Sequence, residues 1–266
     1  MRAPAEHRRQ KLLLAATWFL ASASIALAQG APRSANSGLV APDEVVLYIH
    51  TDLKSTDFVQ PLVCALQRVL VAPVSTRTLQ LHLGSELLTT STQFDVGKVA
   101  DLFLRATAAD GTAQTFKYLL VPYDLKAEPW RYVFSTSFGD NTTPHHAGVL
   151  STARLHAADP RRAHHLGAVI TAQRAYKLIL KSIARVAGLK SPDACILAFP
   201  RSLDELDRKS AEFCPDDRAM LVKAAILNDK EGQEGSDCVT ISQRAPARRQ
   251  VAAASVARMS AAISGD

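Results

Sequence analysis

The spacing of apolar positions along the chain predicts alternating strands and helices in its first half. Residues 44–50 (EVVLYIH) are rich in β-branched and apolar side chains, which is typical of a buried strand. Apolar residues recur at helical spacing over 56–70, and the alternation over 78–83 predicts a second strand. Asp95 is a suitable N-cap for a helix that continues to Ala108.

The second half of the chain predicts more strands and then only helices. The expected strands are 116–123, 132–138 and 147–155, and the expected helices are 163–187, 202–208 and 216–227. The helix over 163–187 is the longest of them. This order predicts one α+β domain over residues 43–229, in which a twisted mixed β-sheet packs against helices and the C-terminal part is helical.

The chain begins with the pattern of a secretory signal peptide. Basic residues precede an apolar stretch from Leu12 to Leu27, and Ala26-Leu27-Ala28 is a small-residue cleavage site. Cleavage after Ala28 would make the protein secreted or periplasmic, without a membrane span. An uncleaved N-terminal anchor is the alternative. Residues 29–42 have the composition of a linker.

The net charge does not indicate a nucleic-acid-binding protein. The formal charge of +6 lies almost entirely in residues 1–28 and 239–266, and the residues between them are balanced in charge. A nucleic-acid-binding domain needs basic side chains clustered on one folded face. Residues 230–266 lack strong periodicity, and their composition predicts a disordered basic tail.

The four cysteines are the remaining general signal. Cys64, Cys195, Cys214 and Cys238 are an even number in a chain predicted to be exported, which favours disulfides. Four cysteines permit three pairings, and the sequence alone leaves them open.

One region resembles a known family. The tripeptide Cys195-Ile196-Leu197 is followed by SLDELDRKSAEFCP at residues 202–215, and these segments resemble the C-terminal part of the archaemetzincins, zinc-dependent metalloproteases related to the metzincins. The resemblance extends over about residues 44–227. It implies a zincin-like fold, in which the substrate cleft lies beneath an edge strand. Residues 149–155 (VLSTARL) and the long helix after them resemble the family's edge strand and active-site helix.

The resemblance also shows what this chain lacks. The family's active-site helix carries HExxHxxGxxH, and the matching residues here are, in order, Lys181, Ser182, Arg185, Gly188 and Ser191. Only the glycine is retained. An ammonium or a guanidinium offers no free lone pair to zinc, and a serine cannot replace the glutamate as a base. The sequence therefore predicts no zinc cofactor and no catalytic residue from this motif.

Three further residues are interpreted through the resemblance. Leu197 matches the methionine beneath the family's zinc and would keep that position apolar. Cys195 and Cys214 match two of four cysteines that hold a second zinc in the family, and in an exported chain this implies a Cys195–Cys214 disulfide. Cys64 and Cys238 would then form the second pair.

The long helix carries a cationic stripe at spacings of three and four residues, formed by Arg174, Lys177, Lys181 and Arg185. Such a stripe is usually solvated or paired with nearby acidic residues. If the family geometry holds, Lys181 and Arg185 project into the former cleft, where they could bind a carboxylate, phosphate or sulfate.

These observations predict a catalytically inactive metalloprotease homologue, a pseudoprotease, that binds a peptide or anionic partner in the former cleft. Two alternatives remain open. One is an active zinc metallopeptidase with relocated ligands, drawn from His145, His146, His164 and His165. The other is a purely structural or interaction module of the cell envelope. The sequence predicts neither the identity of a partner nor an oligomeric state.

Overall fold

The computed structural model describes residues 38–139, 146–156 and 164–229, with the backbone alone for 164–166. The elements follow the order β1 (Glu44–His50), α1 (Val59–Val69), β2 (Val74–Leu79), β3 (Gln93–Asp95), α2 (Val96–Ala106), β4 (Thr115–Val121), β5 (Asp124–Lys126), β6 (Ser135–Phe138), β7 (His146–Ser151), α3 (His164–Val186), α4 (Leu203–Arg208) and α5 (Pro215–Lys223). The predicted signal peptide, most of the linker, the basic tail, Cys238 and His145 lie outside the described residues.

The main sheet has five strands in the order β2-β1-β4-β7-β6. Neighbouring strands are parallel except β6, which runs antiparallel to β7 and forms one edge of the sheet. The strands β3 and β5 form a separate parallel pair. The chain therefore has the α+β fold that the sequence predicts, with a sheet of mostly parallel strands packed against helices.

Both faces of the main sheet are covered, which explains the continuous apolar run of β1. Val45 and Leu47 belong to a core formed with α1 and α3, whereas Val46 and Tyr48 belong to a second core formed with α2. A strand that is buried on both faces needs apolar residues at successive positions instead of alternating ones.

The predicted order of strands and helices is confirmed, except that the short strands β3 and β5 were not predicted, and two placements are corrected. The second strand is Val74–Leu79 rather than 78–83, because residues 74–79 pair in register with β1. The edge strand is β6, whereas β7, which contains residues 149–151 of the predicted edge strand, lies between β4 and β6. The Asp95 side chain caps α2 as predicted, because it accepts a hydrogen bond from the amide of Lys98.

The helix α3 packs across one face of the sheet, against α1, β6 and β7. It is followed by Gly188 at φ 100°, a left-handed backbone conformation that favours glycine and turns the chain back toward the helix. This backbone requirement accounts for a glycine at position 188. Within the described ranges, no helix combines the length and apolar character that a membrane crossing requires.

Candidate functional site

A cleft of about 360 Å³ lies beneath the edge strand β6. Its walls are β6, the residues 130–134 that precede it, the C-terminal part of α3, and the segment from Phe199 to Arg201. Three of the positions that match the zinc motif, Lys181, Ser182 and Arg185, contribute to its lining. The structure therefore has a cleft beneath its edge strand β6, and these three positions line it.

Ser182, at the position of the catalytic glutamate, is joined to the central strand β4. Its hydroxyl lies 3.2 Å from the hydroxyl of Tyr118, and both groups are buried. The Tyr118 hydroxyl also forms a hydrogen bond with Ser135 of β6, and burial raises the pKa of Tyr118 to about 12. The tyrosine ring passes so close to Gly148 that any side chain there would collide with it. Ser182 is thus part of a buried hydroxyl network with Tyr118 and Ser135.

Arg185, at the second histidine position, holds the loop that follows α3. Its guanidinium donates hydrogen bonds to the carbonyl oxygens of Leu189 at 3.0 Å and Ser191 at 2.7 Å, and to Asp193 at 2.7 Å. Ser191, at the third histidine position, donates its hydroxyl hydrogen to the carboxylate of Asp217. The two positions therefore connect the helix, the loop and α5 through hydrogen bonds between protein groups.

Lys181, at the first histidine position, lies where the cleft meets its aromatic rim. Its ammonium is 5.4 Å from the centre of the Phe199 ring and 3.9 Å from Asp193. Burial lowers the pKa of Lys181, and the charge of Asp193 partly opposes this effect. Phe199 and Trp130 are both about half exposed, and their rings are 5.0 Å apart. This end of the cleft places the ammonium of Lys181 beside two accessible aromatic side chains.

The cleft rim is held by interactions that the sequence does not reveal. The Tyr132 hydroxyl donates to the carbonyl of Arg201 at 2.9 Å, which joins the two sides of the cleft. Arg154 stacks over the Tyr132 ring at 4.1 Å and forms a two-pronged ion pair with Asp124. Burial acts to raise the pKa of Asp124, but the hydrogen bonds from Arg154 and Gln93 outweigh it and lower that pKa.

The structure divides the predicted cationic stripe into two parts. Arg174 and Lys177 lie away from the cleft and are bound internally. Arg174 forms a two-pronged pair with Asp207 at 2.7 and 2.6 Å, and Lys177 donates to the carbonyl oxygens of Leu206 and Asp207. These two cations hold α4 against α3, so only Lys181 and Arg185 of the predicted set face the cleft.

Lys209 joins this region although the sequence analysis did not single it out. It follows α4, is 8% exposed, and its Nζ is the one buried side-chain nitrogen or oxygen among the described residues without a hydrogen-bond partner. Burial, together with repulsion from Lys181 and Lys177, lowers its pKa to about 7. A lysine directly after a short helix is ordinarily solvated, so no sequence signal marks this residue.

Leu197, which matches the methionine position through the resemblance, belongs to the main hydrophobic core. Leu197 is fully buried. Next to it, Cys195 forms a disulfide with Cys214, with Cα atoms 5.5 Å apart, as the resemblance implies. Cys64 is also disulfide-bonded, and its expected partner Cys238 lies outside the described residues.

The side chains at the motif positions do not fit a zinc ion. Lysine, serine and arginine occupy the positions of the ligands and the base, and each takes part in the protein contacts given above. Across residues 38–139, 146–156 and 167–229, no three His, Cys, Asp or Glu side chains gather closely enough to hold a metal ion. Of the alternative histidines, His146 is buried in β7, and only the backbone of His164 and His165 is described. The relocated-ligand alternative therefore remains a prediction.

Comparison with known proteins places the fold. No protein-family model and no curated protein matches the sequence. Three solved structures are similar: an archaemetzincin from Methanopyrus kandleri (TM-score 0.54, 21% identity, 68% of this chain and 94% of that one), a zinc-dependent peptidase from Methanocorpusculum labreanum (0.51, 23%, 66% and 99%), and an archaemetzincin from Archaeoglobus fulgidus complexed with malonate (0.50, 19%, 66% and 99%). The chain therefore has an archaemetzincin-like fold.

Proposed function

We propose that this chain is an exported, catalytically inactive counterpart of the archaemetzincins, which binds a peptide or anionic partner in the cleft beneath β6. The observation that carries this proposal is the set of contacts made at the motif positions. Ser182 bonds to Tyr118, Arg185 to the loop after α3, and Ser191 to Asp217. A scaffold that had merely lost its ligands would leave polar groups unpaired there, whereas these groups stabilise the site without metal.

The cleft itself supports binding of an extended partner. Within the described residues β6 pairs only with β7, so its other edge offers backbone donors and acceptors to a peptide strand. The lining combines apolar side chains such as Val133 and Leu178 with the cation of Lys181. The archaemetzincin from Archaeoglobus fulgidus was crystallised with malonate, a dicarboxylate, which makes small carboxylates reasonable first probes of an anionic partner.

Export is supported by the signal-peptide pattern of residues 1–28 and by the Cys195–Cys214 disulfide. Disulfides persist mainly outside the cytosol. We propose that the functional unit is the domain over residues 43–229, and that the basic tail is an appendage to it.

Metal content tests the proposed inactivity. The protein spanning residues 29–266 is purified without a histidine tag, incubated with one equivalent of zinc, dialysed, and analysed by elemental mass spectrometry. The expected result is no retained zinc, because neither an ammonium nor a guanidinium has a lone pair for the ion. The same samples should show no chelator-sensitive peptidase activity.

A full equivalent of zinc that survives dialysis would overturn the proposal and favour relocated ligands. In that case separate alanine variants of His145, His146, His164 and His165 identify the ligands, because removal of a true ligand reduces both zinc retention and activity. His82, which lies away from the long helix in sequence, serves as the matched control. Binding of a peptide or anion is tested separately by the change in Trp130 fluorescence. Trp130 is the one tryptophan of residues 29–266 and lies at the cleft rim.

A further inference from the structure

Lys209 presents a buried ammonium that has no acceptor. The residue is 8% exposed, and its Nζ is fully covered yet makes no hydrogen bond with the described residues. The buried lysine Lys177 donates to two carbonyl oxygens, which shows how a lysine of this region is normally satisfied. A buried charge without an acceptor is unfavourable and is usually removed by deprotonation or by an added counter-ion.

Lys209 is surrounded by more positive than negative charge. The groups that act on it are Lys177 and Lys181 from α3, and Asp193 from the loop after α3. Asp193 is already bound by Arg185 at 2.7 Å, and it lies 3.9 Å from the ammonium of Lys181. One carboxylate is therefore shared among several cations, and Lys181 is the member of this lysine cluster that lines the cleft.

We propose that the cleft selects ligands that carry a carboxylate group, with Lys181 as the residue that contacts the carboxylate and Lys209 as a buried positioning residue that adds its charge behind it. This inference rests on the proposed binding function and names the chemistry of the ligand. The guanidinium of Arg185 already donates hydrogen bonds to the carbonyl oxygens of Leu189 and Ser191 and to the carboxylate of Asp193. Lys181 therefore has more capacity for a new partner than Arg185, and the two other arginines of the lining, Arg131 and Arg201, are exposed to solvent.

Binding of a carboxylate should draw a proton to Lys209. Burial and the neighbouring ammonium groups lower the pKa of Lys209 to about 7, so above pH 7 the free protein holds it largely neutral. A negative charge placed next to Lys181 favours the protonated form of Lys209. The affinity for a carboxylate should therefore weaken as the pH rises above 7. Protonation of Lys209 becomes less favourable as the proton concentration falls, and this cost is subtracted from the binding free energy.

The test compares three acetylated tripeptides that differ in net charge and in the position of the carboxylate. They are acetyl-Ala-Ala-Phe as the free acid, the same peptide as the C-terminal amide, and acetyl-Ala-Glu-Phe amide. Binding to residues 29–266 is followed by Trp130 fluorescence, since the aromatic pair of Trp130 and Phe199 borders Lys181. At pH 6.5 at least one of the two carboxylates should bind about tenfold more tightly than the neutral amide.

Variants separate the role of Lys209 from a structural one. In the wild type the affinity for the preferred carboxylate should fall by about tenfold between pH 6.5 and pH 8.5. In Lys209→Met this pH dependence should disappear, while the neutral amide binds as it does to the wild type. Calorimetry near pH 7.5, in two buffers of different ionisation enthalpy, should detect proton uptake in the wild type and none in Lys209→Met. Lys190→Met, which alters an exposed lysine, is the matched control.

The outcomes distinguish this inference from the proposed function. Preference for the free acid assigns the carboxylate to a peptide C-terminus, and preference for the glutamate peptide assigns it to an acidic side chain. Equal binding of the amide and both carboxylates overturns the inference and leaves peptide binding intact. An unchanged pH profile in Lys209→Met overturns the role of Lys209. If none of the peptides binds, the proposed binding function is contradicted together with this inference.

Discussion

Replacing Lys209 by methionine should stabilise the protein, most strongly below pH 7. Methionine has a similar length and fills the same buried space without a charge. Burial, followed by repulsion from Lys181 and Lys177, lowers the pKa of Lys209 from 10.5 to about 7 in the folded protein. In the unfolded chain Lys209 keeps its ordinary pKa of 10.5. Between these two values the unfolded chain binds more protons than the folded protein, so the stability of the wild type rises with pH across this window.

The size of the effect follows from the difference between the two pKa values. One pKa unit corresponds to about 1.4 kcal/mol, so the buried charge costs about 5 kcal/mol below pH 7 and about 1.4 kcal/mol at pH 9.5. The advantage of Lys209→Met should therefore shrink by about 3 kcal/mol between pH 5.5 and pH 9.5. For a domain of this size the corresponding change is roughly 6–12 °C in the difference between the two Tm values.

The assay is urea unfolding of the wild type and Lys209→Met at pH 5.5, 7.0 and 9.5, without reductant. Lys190→Met supplies the control, because an exposed lysine should give the same small difference at every pH. A difference for Lys209→Met that stays constant across the three pH values would refute the reasoning. It would mean that the Lys209 ammonium is solvated in the folded protein and carries its charge at no cost.

Two further predictions concern the scaffold of the cleft. Gly148→Ala should lower the free energy of unfolding by about 1–3 kcal/mol, because the added Cβ would lie 2.2 Å from Cε2 of Tyr118. In urea unfolding, the double variant with Tyr118→Leu should recover part of this loss. A single variant as stable as the wild type would contradict the close contact. Replacing Cys195 and Cys214 together by alanine should lower the free energy of unfolding by about 3 kcal/mol, because the disulfide joins residues 19 positions apart and closes a loop of intermediate length. An unchanged urea midpoint in the absence of reductant would show that the bond constrains the unfolded chain little.

Local sequence determined much of the architecture of this protein. The uninterrupted apolar run of β1 predicts a buried strand, and two separate cores cover it in the structure. Asp95 caps α2 because a short side-chain oxygen suffices for that role wherever the helix lies. The prediction that Lys181 and Arg185 do not bind zinc also rests on residue types alone, since no fold supplies an ammonium with a lone pair.

Only the tertiary structure decided which strand forms the edge of the sheet, which cations are paired inside the protein and which of them face the cleft. The sequence predicted the edge strand at 149–155, but pairing among strands distant in sequence places β7 inside the sheet and β6 at its margin. The cationic stripe looks uniform in the sequence, yet Arg174 is bound by Asp207, 33 residues away, whereas Lys181 faces a cleft. Lys209 becomes unusual only because the packing of α4 on α3 buries it among like charges. Charge energetics depend on burial and on neighbours that the chain brings together from far apart, and no local pattern encodes either of them.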